Sequence, residues 1–160
     1  MKVYFGTTPM TTPLFFERLE TRAPAALIRA LDSTPTIGIH AVRGTQLFLL
    51  FNVLSFDHAF DGMLGLEKTL LDDMGLLFGI NPRTIVAAST TKEIFDTPLS
   101  FKDVVIRNRD VRAIFDPSGT IIFLYSFLDP QTLVITTNED TLKTLIGKAG
   151  HGELREITNN

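Results

Sequence analysis

No cysteine and no tryptophan occur among the 160 residues. Without thiols the chain has no disulfide, no thiolate nucleophile and no sulfur ligand for zinc or an iron–sulfur cluster. The compartment stays open, because a domain of this size buries enough apolar surface to stand without cross-links in any redox setting. Positive charge is not in surplus either. Fifteen Lys and Arg against 18 Asp and Glu give a net charge of −3, which offers nucleic acid or an anionic membrane no general attraction. The locally basic "IRNRDVR", Ile106–Arg112, has its charge offset by Asp103 and Asp110 and carries no interleaved aromatics. It reads as strand-edge protection and ion pairing, not as an RNA-binding strip. No apolar run approaches the roughly 18–20 residues that cross a bilayer, and "MKVYFGTTPMTTP" lacks the charged-then-apolar order of a signal sequence. The chain as it stands is expected to be soluble.

What is present is a core. Hydrophobic residues make up 44% and charged residues 21%, with 13 phenylalanines, the balance of a globular domain and not of a disordered tail or a coiled coil. The first dozen residues, 1–12, are turn-rich and read as extended. "TTPLFFERLE" starts a helix with Thr12 as cap and Pro13 in the first turn, and in "TRAPAALIRALD" Thr21 leads into a second start, giving two short helices or one kinked at Pro24. "TIGIHAVRGTQLFLLFNVL" predicts a hairpin, Thr36–Val42 and Gln46–Leu54, turning at Arg43-Gly44. Its second arm is apolar on both parities and so is covered on both faces. A long amphipathic helix, Phe56–Phe78, follows Ser55 as cap. Residues 79–100 form a long excursion, with a short strand at Ile85–Ala88 and one helical turn near Lys92–Phe95; excursions of this length are often functional or interfacial. A meander follows: Asp110–Phe115, Ile121–Leu128 and "TLVITT", with turns at "DPSG" and "DPQ". The preceding "FKDVVIRNR" reads as extended, straight or bulged around Asn108. Thr137 or Asn138 caps a last helix that Gly147 stops, leaving 148–160 as a tail.

The order α-β-β-α-β-β-β-α predicts one α+β domain spanning 1–160: a mostly antiparallel five-stranded sheet with helices on both faces. By analogy of element order alone, the layout is profilin-like or roadblock-like.

One residue breaks the pattern. At about 100° per residue, Phe56, Ala59, Phe60, Met63, Leu70, Leu71, Met74 and Leu77 share one side of the long helix, and Glu67 falls in the middle of that arc. A carboxylate pointed into a core must be paired, hydrogen-bonded or protonated. An arginine from the sheet would neutralise it, with Arg112, Arg109 and Arg107 the candidates and Arg29 next. A helix rotated or kinked at Gly62 or Gly65 would instead leave Glu67 at a rim, and a catalytic or metal-binding carboxylate lacks visible companions.

Other motifs fail on their chemistry. "GMLGLEKT" resembles a phosphate-binding loop, but Glu67 stands where a glycine must let the backbone curl, and the stretch is mid-helix. Ser89 and Lys92 of "STTK" have the spacing of an acylating Ser–Lys pair without the further elements such enzymes need. His40, His58 and His151 share no ligand spacing, and Asp57, Asp61, Asp72 and Asp73 read as a solvated helix face. No cofactor or metal is expected.

Three stretches carry a resemblance: "APAALIRAL" running into "IGIH", then "LFLLFNVLSFDHAFDGMLGLEKTLLDDMGLLFG", then "SFKDVVIRNRDVRAIFDPSGTIIFLYSFLDPQTLVITTNEDTL". Over Pro13–Leu145 the chain resembles an uncharacterised domain at the carboxyl end of predicted single-pass membrane proteins of candidate-phyla bacteria of the Patescibacteria type. Leu66 stands where that domain has a tryptophan, keeping the apolar character. The resemblance carries no catalytic residues. It implies placement: a domain held on the extracytoplasmic side of a membrane by an anchor outside this chain.

The resulting expectation is a non-enzymatic interaction or assembly domain, binding a protein partner or itself. The alternative is a small-molecule or peptide sensor with a phenylalanine-lined pocket between the long helix and the sheet.

Overall fold

The computed structural model describes residues 4–5, 8–41, 44–87 and 99–150. Two short strands, β1 (Tyr4–Phe5) and β2 (Thr8–Pro9), pair with each other ahead of helices α1 (Thr12–Arg18) and α2 (Ala25–Ala30). The hairpin β3 (Thr36–Ala41) and β4 (Thr45–Asn52) leads into α3 (Phe56–Met74), a 3-10 turn (Gly75–Phe78) and α4 (Pro82–Ala87). Strands β5 (Lys102–Ile106), β6 (Arg109–Phe115), β7 (Ile121–Asp129) and β8 (Thr132–Thr136) precede α5 (Glu139–Gly150). Among the described residues β3 to β8 form one antiparallel sheet of six strands, ordered β3-β4-β8-β7-β6-β5.

The architecture is α+β, as the order of elements implies, but the expected five strands are six. The extra strand is β5, the segment read only as extended. Two physical facts hide it. As an edge strand it buries little, and Val105 is 70% exposed, so no strong alternation marks it. Its hairpin turns on Arg107 and Asn108 at φ 49° and 59°, left-handed positions that glycine would normally advertise.

Apolar side chains cover both sheet faces. Leu49, Phe51, Tyr125 and Ile135 face a cluster with α1, α2 and α3, whereas Leu50, Val111, Leu124 and Val134 face Leu142 and Leu145 of α5. Strands β4, β7 and β8 are thus apolar on both parities because helices lie on both sides. Helix α2 presses on α3 at Gly62, where an added Cβ would sit 2.6 Å from Leu27 Cβ. That contact fixes the rotation of α3, and the expected apolar arc shifts with it. Ala59, Gly62, Met63, Leu66, Leu70 and Met74 are buried, while Phe56 and Phe60 are 39% and 40% exposed.

Smaller corrections have local causes. Thr11, not Thr12, accepts from Leu14 N–H at the start of α1, and the Thr12 hydroxyl donates instead to the Asp32 carbonyl. Residues 85–87 are helical, not extended, because Asn81 accepts the Arg83 N–H and Pro82 preforms the first turn. Helix α5 is capped by Asn138, which accepts from Thr141 N–H, and runs through Gly147 to Gly150. A helical glycine costs only about 1 kcal/mol, and Ile146 and Ala149 pack onto the sheet. Residues 92–95 and 151–160 lie outside the described residues.

Asp73, assigned above to a solvated face, is nearly fully buried and ties the α1–α2 connection to α3. The Arg22 backbone N–H and Nε donate to it, each at 2.9 Å, and the Thr69 hydroxyl donates at 3.0 Å. Burial alone would raise its carboxyl, but those hydrogen bonds together outweigh it and hold the group below the ordinary 3.8. A carboxyl depressed on folding stabilises the fold above its unfolded pKa and loses that contribution as pH falls through the folded value. Asp73→Asn is therefore expected to flatten the loss of stability between roughly pH 5 and pH 3, measured as urea midpoints across that range.

Candidate functional site

The strand registers assemble the site. Arg112 on β6 lies opposite Asp103 on β5 and opposite Tyr125 on β7, so the three form a row across the sheet on its α3 side. Glu67 comes down onto that row from α3. Arg112 donates from Nε and Nη2 to Oε1 and Oε2 of Glu67 at 2.6 and 2.7 Å, a bidentate pair. The Tyr125 hydroxyl donates to Oε1 at 2.7 Å, and Arg112 Nη1 lies 2.7 Å from Asp103 Oδ1. Side-chain exposure is 15% at Glu67, 23% at Arg112 and 86% at Asp103, so the network runs from the core outwards to solvent.

Arg112 is thus the partner of Glu67. Arg109, the other arginine assigned to the pair, is not: it sits three residues away on the same strand, so the two side chains leave on opposite faces. Arg109 is exposed, and no ion pair joins it to Glu67 among the described residues. Arg107 donates to the Lys143 carbonyl of α5. Glu67 itself is not in the centre of the buried arc but at its border, since the Gly62 contact turns Met63, Leu66 and Leu70 to the sheet.

The network is chemically quiet. The hydrogen bond to Glu67, helped by Asp103, keeps the Arg112 guanidinium charged at any working pH. Burial, reinforced by the hydrogen bond to Glu67, pushes the Tyr125 phenol well above its usual value, so it serves as a donor and not as a base. Every strong polar group here is already held by another.

Beside the network a groove of about 580 Å³ opens between the first half of α3 and strands β5 to β7. Phe56, Phe60 and Leu64, spaced four residues apart on α3, form one wall with Phe127 of β7. The rings touch: Phe127 lies 5.1 Å from Phe56 and 6.0 Å from Phe60, centroid to centroid. The rim carries Asp103, Asp110 and Asp129, and Arg109 borders it at the hairpin end. Periodicity places Phe56 and Phe60 on the core face with Ala59 and Met63, whereas the structure leaves them at its border, 39% and 40% exposed.

The remaining candidates do not converge. The Gly62–Thr69 stretch is helical inside α3 and forms no loop around an anion. His40 bonds the Thr141 hydroxyl at 3.1 Å and His58 the Ser55 hydroxyl at 2.8 Å; His151, Ser89 and Lys92 lie outside the described residues. Among the described residues no group of three or more His, Asp or Glu is arranged to hold a metal, and no helix is long and apolar enough to cross a membrane. Compared with protein families, curated proteins and solved structures, the chain matches none.

Proposed function

We propose that this is a non-enzymatic protein-interaction domain, which receives an apolar segment of a partner in the groove between α3 and β5–β7. One observation carries the reading: three partly exposed aromatic rings, Phe56, Phe60 and Phe127, wall a groove of about 580 Å³ whose floor groups are already bonded to each other. Burying those rings against a partner supplies affinity, and the saturated Glu67–Arg112–Tyr125 floor keeps the groove's shape without offering a nucleophile or a free acid. Asp103, Asp110 and Asp129 make the rim acidic, with Arg109 on the other strand parity and Arg112 already matched by Glu67 and Asp103. The partner that complements this rim carries lysine or arginine next to its apolar residues. The profilin-like or roadblock-like layering, by analogy with folds used for scaffolding and sensing, is compatible with such a role. Display on the extracytoplasmic side of a membrane, through an anchor outside this chain, is the placement that goes with the resemblance over Pro13–Leu145.

A phage-displayed library of random peptides panned on the purified domain tests this. Enriched peptides are expected to combine aromatic or branched apolar residues with a cation, to shift the backbone amide resonances of α3 and β5–β7, and to lose at least tenfold in affinity on Phe60→Asp. No enrichment, or enriched peptides indifferent to Phe60→Asp, would contradict the proposal. The second reading, an apolar small molecule in the same groove, is favoured by its volume, which falls within the usual 300–1,000 Å³ or so of ligand pockets.

A further inference from the structure

The β5–β6 hairpin settles which backbone groups of its edge strand face outwards. It turns on two residues, Arg107 and Asn108, both at positive φ, and its closing pair is Ile106 with Arg109. In a two-residue hairpin of this kind the closing pair exchanges both backbone hydrogen bonds, and bonded and non-bonded pairs alternate from there. Ile106, Val104 and Lys102 therefore bond inwards to β6. The N–H and C=O of Val105 and Asp103 point away from the sheet, and among the described residues no strand pairs with that side of β5.

The same two residues have the parity of the groove face. Asp103 lines the groove and reaches Arg112, and Val105, two residues on, is 70% exposed. An incoming strand that bonds to the open backbone of Asp103 and Val105 would place its own opposite side chains on that face. Beside Asp103 the complementary residue is a cation. The Asp110 carboxylate, which lies across from Val105 and has no partner among the described residues, adds to the same preference. Beside Val105, which is 70% exposed, the complementary residue is apolar. Lys102 and Asp103 on the edge disfavour a neutral neighbour strand, the usual way in which an open edge is kept from indiscriminate pairing.

We infer that the partner segment binds as an added strand on the outer edge of β5, with alternate residues, cationic beside Asp103 and apolar beside Val105, on the sheet face that carries the groove and against its outer rim. This rests on the reading of the groove as a protein-binding site and specifies the partner's conformation and residue pattern.

The probe is the acetylated, amidated heptapeptide Ser-Lys-Thr-Phe-Thr-Lys-Ser, whose symmetric pattern presents Lys, Phe and Lys on one face in either chain direction. Binding is expected with at least tenfold slower exchange of the Asp103 and Val105 amides, and at least tenfold weaker binding when both lysines become glutamate. N-methylation of the Lys and Phe amides is expected to abolish it. So is Val105→Pro, which removes only an outward N–H and leaves the ladder to β6 intact; circular dichroism and the urea midpoint should match the parent. If that variant fails to fold, the N-methylated peptide on the parent chain gives the same reading. Equal binding of the glutamate peptide would overturn the charge assignment. Binding that Phe60→Asp abolishes but N-methylation does not would overturn strand addition and leave the groove reading standing. No binding of the lysine peptide at about 1 mM, a limit that corresponds to roughly −4 kcal/mol, would overturn the inference, with the groove still judged by the library selection. A dimer in light scattering that Val105→Pro dissolves would assign the edge to a second copy of the chain and overturn it as well.

Discussion

Arg112→Met is expected to destabilise the fold by about 3 kcal/mol, because removing one partner of a largely buried pair strands the other. The Glu67 carboxylate would keep the Tyr125 hydroxyl but lose both guanidinium bonds, with only 15% of its side chain open to water. Relief by solvent is limited, since α3 holds Glu67 beside Met63, Leu66 and Leu70. Glu67→Gln should cost less. Its amide oxygen still accepts from Tyr125, and Arg112 retains the exposed Asp103. The checks are urea unfolding curves with a common slope, so that the midpoint reports stability. Equal losses for the two substitutions would mean that the pair contributes through something other than the enclosed charge.

A comparable loss, about 4 kcal/mol, is expected for Phe123→Ala. Phe123 lies on the central strand β7 with no exposed surface, and its ring meets Phe78 at 5.3 Å and Phe101 at 6.2 Å, edge to face in both cases. These contacts tie the 3-10 turn after α3 and the approach to β5 to the middle of the sheet. Truncation leaves a cavity between elements that cannot collapse independently, since β7 is clamped between β6 and β8. For a domain of this length the loss corresponds to a fall in melting temperature of roughly 10 °C, readable by circular dichroism. A fall of only a degree or two would show that the aromatic cluster repacks, and that the junction of the 3-10 turn with the sheet is plastic.

What could be read from the sequence was whatever packing made periodic. Strands β4 and β7 announce themselves because both parities are apolar, and α3 because its apolar stripe recurs with the helical period. The need for a guanidinium near Glu67 is also visible, since a carboxylate within such a stripe must be answered. Which arginine answers it is not: Arg109 and Arg112 differ only in strand parity, and that parity follows from where the Arg107–Asn108 turn falls. The turn carries no glycine, so β5 and the register of β6 were hidden together. The groove was legible only as an alternative, a pocket lined by phenylalanines. Phe56 and Phe60 satisfy the same period as core residues, and what exposes them is the rotation that the Gly62–Leu27 contact imposes on α3.

The central claim is that the acid on α3 is an architectural tie beside a binding groove, and the double substitution Glu67→Gln with Arg112→Met addresses it most directly. Charge leaves from both sides at once, the Tyr125 hydroxyl keeps an acceptor, and Asp103, 86% exposed, returns to water. The account predicts a folded domain that recovers most of the stability lost in Arg112→Met alone and still binds the peptides selected on the parent chain within a few-fold. A double variant that folds normally yet loses that binding, or that gains nothing over Arg112→Met, would contradict it.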